Sequence, residues 1–337
     1  MTSLFTMLIL TIHSPITAGS PELEKARAEV WAFERKLHDW PKDKDAEREK
    51  AIRDFFGQLK DTPTKLAAIE TTCSRYVYVI PHKLGGELMG VLLKDPDMKV
   101  RLGAAHSLGY NGLAGEHFDG IVALFKQVDG DGIRSLIYAM GRSRDARFYP
   151  YLRDLLKHED GMIRAEAIFE LRHWPHDREK VRDDAMKLWN DPHQQVRCGV
   201  LAFVDVDSKD GLTLIRERLK DAGAHVRTYS VECLGRSKQP GVDEIIVGMM
   251  TDPEAIVRGK AIETLGNRKA KEHVDLAIGR FQDAKEDLYV RRVAVKAMAQ
   301  LASANHVPIL RAMFGDADSQ VRDYAMEVVN ILEGRPR

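Results

Sequence analysis

One pattern of apolar and polar positions returns eight times between Val100 and Arg322. An aliphatic residue and an arginine are followed by small or apolar residues three, four and seven places further on. The clearest copies read Val100-Arg101-Leu-Gly-Ala-Ala-His-Ser-Leu108-Gly109 and Val257-Arg258-Gly-Lys-Ala-Ile-Glu-Thr-Leu265-Gly266. Offsets of three, four and seven fall on one face of an α-helix, so each copy predicts an amphipathic helix with that face buried. The arginines are Arg101, Arg134, Arg164, Arg197, Arg227, Arg258, Arg291 and Arg322, at successive spacings of 33, 30, 33, 30, 31, 33 and 31 residues. So steady a period predicts a stack of like units rather than one globular core.

Each period also holds a less regular amphipathic segment, as at 148–156, 212–219 and 307–314. The unit therefore reads as first helix, tight turn, second helix and loop, with the arginine on the second helix. Asp95-Pro96, Asp191-Pro192 and Asp252-Pro253 stand six residues before their arginines, and Asp221 does so without a proline. This predicts Asp as the N-cap and Pro in the first turn, where no donor is lost. Gly109, Gly141, Gly235 and Gly266 follow the apolar run and predict left-handed C-caps.

The motif Asp-Pro-x-x-x-Val-Arg-x-x-Ala-Ala-x-x-Leu-Gly, repeated in this way, resembles the HEAT-like repeat of the phycobilin-lyase type from near Asp95 to near Glu333. The unit at Asp95 matches it almost throughout. The Arg197, Arg291 and Arg322 units end in Val204-Asp205, Met298-Ala299 and Val329-Asn330 where Leu-Gly is expected. The resemblance implies an all-α, right-handed α-solenoid of about eight HEAT-like helix pairs, with the second helices lining its concave face. Residues 21–62 read as a helical N-terminal cap, docked through Trp31, Phe33, Leu37 and Trp40. The solenoid is expected over 63–333, starting with a degenerate pair, and 334–337 form a tail.

Charge narrows the partner. The chain has 51 basic and 51 acidic residues and no basic stripe, which argues against nucleic acid. Cys73, Cys198 and Cys233 are far apart and form no CxxC, so they read as small buried hydrophobes. No charged residue precedes Glu22; an apolar run over 4–12 and small residues up to Ala18 read as a signal peptide lacking the usual basic start. The expectation is export to the periplasm or outside the cell, with the cytoplasm as the alternative. The run is too short to anchor the chain across a bilayer.

Little catalytic chemistry is legible. Deoxyhypusine hydroxylase, built from similar repeats, carries His-Glu iron ligands just after the repeat arginine. Those slots here hold Leu102-Gly103, Ala165-Glu166, Thr228-Tyr229 and Gly259-Lys260. His158-Glu159 stands alone, and Pro175 breaks the His173-Trp-Pro-His176 stretch. No metal, cofactor or catalytic residue is therefore expected. The eight arginines read as a structural ladder paired with loop aspartates, which suits the planar guanidinium, rather than as an anion-binding row. Positions two, five and nine after the arginine flank the buried stripe: His106, Tyr110, Phe169, His173, Tyr229, Glu232, Lys260, Glu263, Lys296 and Tyr324. Aromatics among charges of both signs suit a protein or peptide partner. The function expected is a non-catalytic scaffold or adaptor using the concave face. The alternative is a phycobilin-lyase-like enzyme or chaperone acting on a chromophore-bearing protein. Nothing in the sequence names the partner or the oligomeric state.

Overall fold

The computed structural model describes residues 20–41, 43–72 and 80–335. The expected signal segment up to residue 19, Cys73 and the last two residues of the tail lie outside the described residues. The described residues form α-helices and short 3-10 turns, with no strand among them. The chain divides into two compact units, Met1–Ala185 and Met186–Arg337.

In the first unit the helices are α1 (Pro21–His38), α2 (Asp45–Gln58), α3 (Thr62–Thr72), α4 (His82–Leu92), α5 (Met98–Tyr110), α6 (Phe118–Phe125), α7 (Gly130–Ser143), α8 (Tyr149–Leu155) and α9 (Gly161–Leu171). It closes with α10 (Arg178–Met186). Second helices form one layer, in which α3 packs on α5, α5 on α7 and α7 on α9. The first helices α4, α6 and α8 each brace the second helix that follows. The second unit repeats the plan with α11 (Gln194–Val200), α12 (Lys209–Arg218), α13 (Ala224–Leu234), α14 (Val242–Gly248), α15 (Ala255–Arg268), α16 (Val274–Gln282), α17 (Leu288–Leu301), α18 (Val307–Ala312) and α19 (Ser319–Leu332). Here α11, α13, α15, α17 and α19 form the layer.

This α-solenoid bears out the periodic reading. Ala104, Ala105 and Leu108 of α5, Ala167, Ile168 and Leu171 of α9, and Ala261, Ile262 and Leu265 of α15 are all buried. Loss of Leu-Gly has a visible effect in the Arg197 unit: α11 stops at Val200 and runs out through a 3-10 turn over Leu201–Phe203.

The N-terminal segment departs from expectation. α1 packs on α3 just as one second helix packs on the next, so the layer begins inside the stretch read as a separate cap. It docks through Leu23, Ala26, Val30 and Leu37, while Phe33 stacks on Phe55 of α2 at 4.0 Å. Trp31 does not dock; it is 64% exposed.

Two local expectations need correction. The glycines do not cap in the left-handed region. Gly109, Gly141 and Gly266 lie inside their helices, and Gly235 has φ of −55°. They are needed for close approach: a Cβ at Gly109 would stand 2.5 Å from the Cα of Ala139 on α7, which is backbone and cannot yield. The left-handed positions that follow α7 and α15 are Arg144 and Lys269, at φ of 55° and 58°. The Asp-Pro pairs, for their part, sit just outside the helix. The N-caps are Asp97, His193 and Glu254, two residues after Asp95, Asp191 and Asp252. Each of those aspartates accepts from the N–H of the N-cap residue, at 2.8–2.9 Å.

The aspartates are displaced because they join neighbouring repeats. In the second unit Arg197 holds Asp221 through two N–H···O bonds of 2.8 Å, and Arg227 holds Asp252 at 2.7 and 2.8 Å. Arg258 pairs with Glu286 in the same way, and Arg291 with Asp316. The other guanidinium nitrogen turns back onto the arginine's own loop. Arg227 donates to the carbonyls of Asp221 and Ala222, Arg258 to those of Asp252 and Pro253, and Arg322 to those of Asp316 and Ala317. One loop carboxylate thus receives the preceding repeat's arginine while its own carbonyl receives its own. In the first unit Arg164 donates to the carbonyls of His158 and Glu159.

The ladder carboxylate is Glu286 rather than Asp for Arg258, and two members hold no loop carboxylate. Arg101 donates to Gln127, and Arg134 to Glu166, which lies on α9 rather than in a loop. Gly141 follows Arg134 by seven residues instead of the eight that separate Arg101 from Gly109. In this repeat Ile133 therefore occupies the ladder slot and Arg134 the next one. The pattern also reaches one repeat further back: Lys65 on α3 holds Asp95 at 2.7 Å.

Burial alone would push the carboxyls of Asp221 and Asp252 up, but Arg197 and Arg227, with the N–H groups of Gly223 and Glu254, hold them below the ordinary value. The Asp221 side chain is only 4% exposed. Arg197→Ala would leave it with Arg218 at 3.6 Å and no bidentate partner. Breaking a buried pair from one side costs about 3–5 kcal/mol. Urea denaturation of Arg197→Ala is expected to show a loss near the lower figure, and an unchanged midpoint would mean that the pair does not hold the repeats together.

Candidate protein-docking face

The outer edge of the second-helix layer carries the side chains that the sequence singles out, in two separate sets. In the first unit, His106 on α5 stacks on Tyr138 of α7, with ring centroids 4.6 Å apart and planes 16° from parallel. Arg142, one turn further along α7, lies over the same Tyr138 ring at 5.8 Å. On α9 the guanidinium of Arg172 covers the Phe169 ring at 3.8 Å, and His173 meets Phe169 edge-on at 6.4 Å. Arg172 Nε donates to His173 Nε2 at 2.8 Å. Tyr110 is half-buried at the end of α5. Planar cations on aromatic faces are held in place before any ligand arrives, which lowers the entropy lost on binding.

Beneath this band the charge is unusual. Glu170 lies between α7 and α9, against the bare face of Gly141, and is 9% exposed. Burial pushes its carboxyl up to about 7; Arg142 and Arg172 oppose the rise and Glu166 adds to it. His173 is shifted down, first by burial and then by Arg172, Arg144, Arg142 and Arg178. Arg172, Arg144, Arg142 and Arg178 thus all bear on His173, just past the end of α9.

In the second unit the expected residues form a more balanced surface. Lys260 and Glu263 pair with each other at 2.6 Å along α15. Tyr289 lies over Gly259, and burial raises its phenol. Tyr229 and Glu232 on α13 both face Arg236, which also donates to the Sγ of Cys233 at 3.1 Å. Lys296 lies over the Tyr324 ring at 5.6 Å. Cys198 and Cys233 are buried, with thiols pushed up by burial to about 12 and about 11.

Tyr138, Arg142, Arg172, Glu170 and Tyr289 are absent from the sequence-derived set. The register slip in the Arg134 repeat explains the first two: counting from Arg134 points to Leu136, Ala139 and Ser143, whereas counting from Ile133 reaches Tyr138 and Arg142. The displaced Gly141 was the available signal. Among the described residues no cluster of three or more His, Cys, Asp or Glu could hold a metal, and no helix is long and apolar enough to cross a membrane.

Residues 242–330 match the family described as HEAT repeats. The chain has the HEAT-like α-solenoid fold. The matched stretch contains the Arg258, Arg291 and Arg322 copies of a motif that runs back to Arg101. The HEAT-like fold is shared with YibA of Escherichia coli at a TM-score of 0.52 and 17% identity, over 81% of this chain and 99% of that one. The complex of CpcE and CpcF of phycocyanin lyase from Nostoc sp. PCC7120 aligns at a TM-score of 0.42 and 18% identity, over 73% and 94% of the two chains. Human deoxyhypusine hydroxylase in complex with glycerol aligns at 0.35 and 18%, over 75% and 98%. At these identities the likeness is one of fold. No curated protein matches the chain in sequence.

Glu170 supplies a test of the geometry beneath the HEAT second helices. Its folded value, about 7, stands above the unfolded value of about 4.3, so the native state holds the proton more tightly. Stability is fully present below the unfolded value and falls as pH rises from there through the folded one. Glu170→Gln is expected to leave stability near pH 4 unchanged and to raise it at pH 8 by roughly 3–4 kcal/mol. Equal effects at both pH values, read by urea denaturation, would contradict the burial of this carboxyl.

Proposed function

We propose that this HEAT-like protein is a non-catalytic scaffold that binds a protein or peptide along the outer edge of its second helices. The observation that carries the reading is the half-exposed band of the first unit, in which His106, Tyr138 and Phe169 present ring faces and Arg142 and Arg172 lie over them. Aromatic and arginine side chains dominate the energetics of protein interfaces, since they bring large area with few rotatable bonds. The balanced charge of the chain favours a protein ligand over nucleic acid. The reading takes residues 1–20 as an export signal, so the partner is sought in envelope as well as soluble extracts.

The protein, immobilised and exposed to those extracts, is expected to retain a partner protein in stoichiometric amount. A Tyr138→Ala/Phe169→Ala variant with an unchanged melting temperature is expected to lose it. Retention of a pigment or other small molecule with no protein would overturn the scaffold reading in favour of the lyase-like one.

A further inference from the structure

The arginines of this chain fall into two groups. Those of the ladder are saturated: Arg197, Arg227, Arg258 and Arg291 each hold a carboxylate that is at most 10% exposed. Arg142 and Arg144 differ. Arg142 is exposed and lies over Tyr138, Arg144 is exposed in the left-handed turn that ends α7, and neither forms an ion pair among the described residues. Arg172 follows the end of α9 and lies over the Phe169 ring, Arg178 opens α10, and all four arginines lower the titration of His173. Asp145, next to Arg144, is held by Arg147 at 2.6 Å. Glu166 is engaged by Arg134 at 2.7 Å, and Glu170 is buried beneath the helices.

This arrangement sets Arg142 and Arg144, which form no ion pair among the described residues, beside the half-buried rings of Tyr138 and Phe169 on a short stretch of one layer. A ligand that fits has carboxylates to meet the guanidinium groups and apolar or aromatic side chains to cover Tyr138 and Phe169. Guanidinium–carboxylate pairs are directional and strengthen as water is excluded. Resting on the docking reading above, we propose that the end of the α7–α9 layer, centred on Arg142, Arg144, Arg172, Tyr138 and Phe169, binds an acidic peptide segment in which carboxylates alternate with large apolar residues. An acidic peptide is preferred to a nucleic acid because the buried floor carries the carboxyls of Glu166 and Glu170 and the chain as a whole has zero net charge. A phosphate backbone would call for a longer basic track.

The test uses the full chain and three fluorescein-labelled probes: a dodecapeptide alternating Glu with Phe and Leu, its counterpart with Lys in place of Glu, and a dodecamer of thymidylate. Anisotropy titrations are expected to show the acidic peptide binding at least tenfold more tightly than either other probe. Arg142→Ala and Arg172→Ala are each expected to weaken it by at least fivefold, and Glu272→Ala, on the second unit and away from the docking face, by less than twofold. Amide exchange is expected to slow at 138–144 and 169–173 on addition of the acidic peptide. The proposal is overturned if the Lys peptide or the oligonucleotide binds as well, if both arginine variants bind normally, or if protection appears elsewhere. If the retained partner of the preceding experiment is still lost in Tyr138→Ala/Phe169→Ala, the docking reading stands and acid selectivity alone has failed; a partner that this variant still retains would remove the docking reading as well.

Discussion

The structure depends on a carboxylate placed in the loop before a second helix and shared between two repeats. In the second unit Asp221 and Asp252 each take a two-pronged guanidinium from the preceding helix. Each also takes the N–H two residues on, from Gly223 or Glu254. The carbonyl of the same aspartate accepts from its own repeat's arginine. A single loop residue thus orders the start of its helix and fixes that helix to its neighbour. Apolar burial alone is non-directional and would let stacked helices slide; the planar, bidentate pair removes that freedom. A buried ion pair adds little net stability over a hydrophobic substitute, so its value here lies in register.

Register is what makes the outer edge of the layer a surface with a defined content. Once neighbouring second helices are fixed, residues five places after the slot come side by side, as His106 and Tyr138 do, and the small residues near helix ends allow the close approach that stacks them. The Arg134 repeat shows how sensitive this is. Its arginine is displaced by one residue and pairs with Glu166 on the next helix rather than with a loop. Ile133 fills the slot, and the cations Arg142 and Arg144 form no ion pair among the described residues. The repeat that departs from the ladder is the one that contributes most to the candidate site.

Much of the fold was legible because a helical period repeated eight times averages out local exceptions. The buried triplets at Ala104, Ala105 and Leu108 and at Ala261, Ile262 and Leu265 follow directly from it. What was misread lies where one residue type serves two purposes. Glycine after an apolar run signals a left-handed cap, yet Gly109 is small so that Ala139 can approach, and the left-handed turns fall on Arg144 and Lys269, where sequence preference gives no warning. Asp-Pro signals an N-cap, yet the aspartate stands two residues earlier because it must reach the preceding arginine. Trp31, expected to dock, is exposed, while the smaller Leu23, Ala26 and Val30 do the docking. Of the site, His106 and Phe169 were found by counting. Tyr138 and Arg142 were missed because the count began from an arginine that had slipped, and Glu170 because its position in the helix gives no hint that the facing residue is a glycine.

The account rests on the claim that the arginine–carboxylate pairs act between repeats as coupled units. A double-mutant cycle on Arg227 and Asp252, with each residue changed to leucine singly and together and stability read by urea denaturation, tests it directly. The predicted result is strong non-additivity: each single change is costly because it buries an unpaired charge, and the double change is milder than either, with a coupling of about 3 kcal/mol or more. Additive losses within about 0.5 kcal/mol would show that the two residues act independently and would contradict the claim.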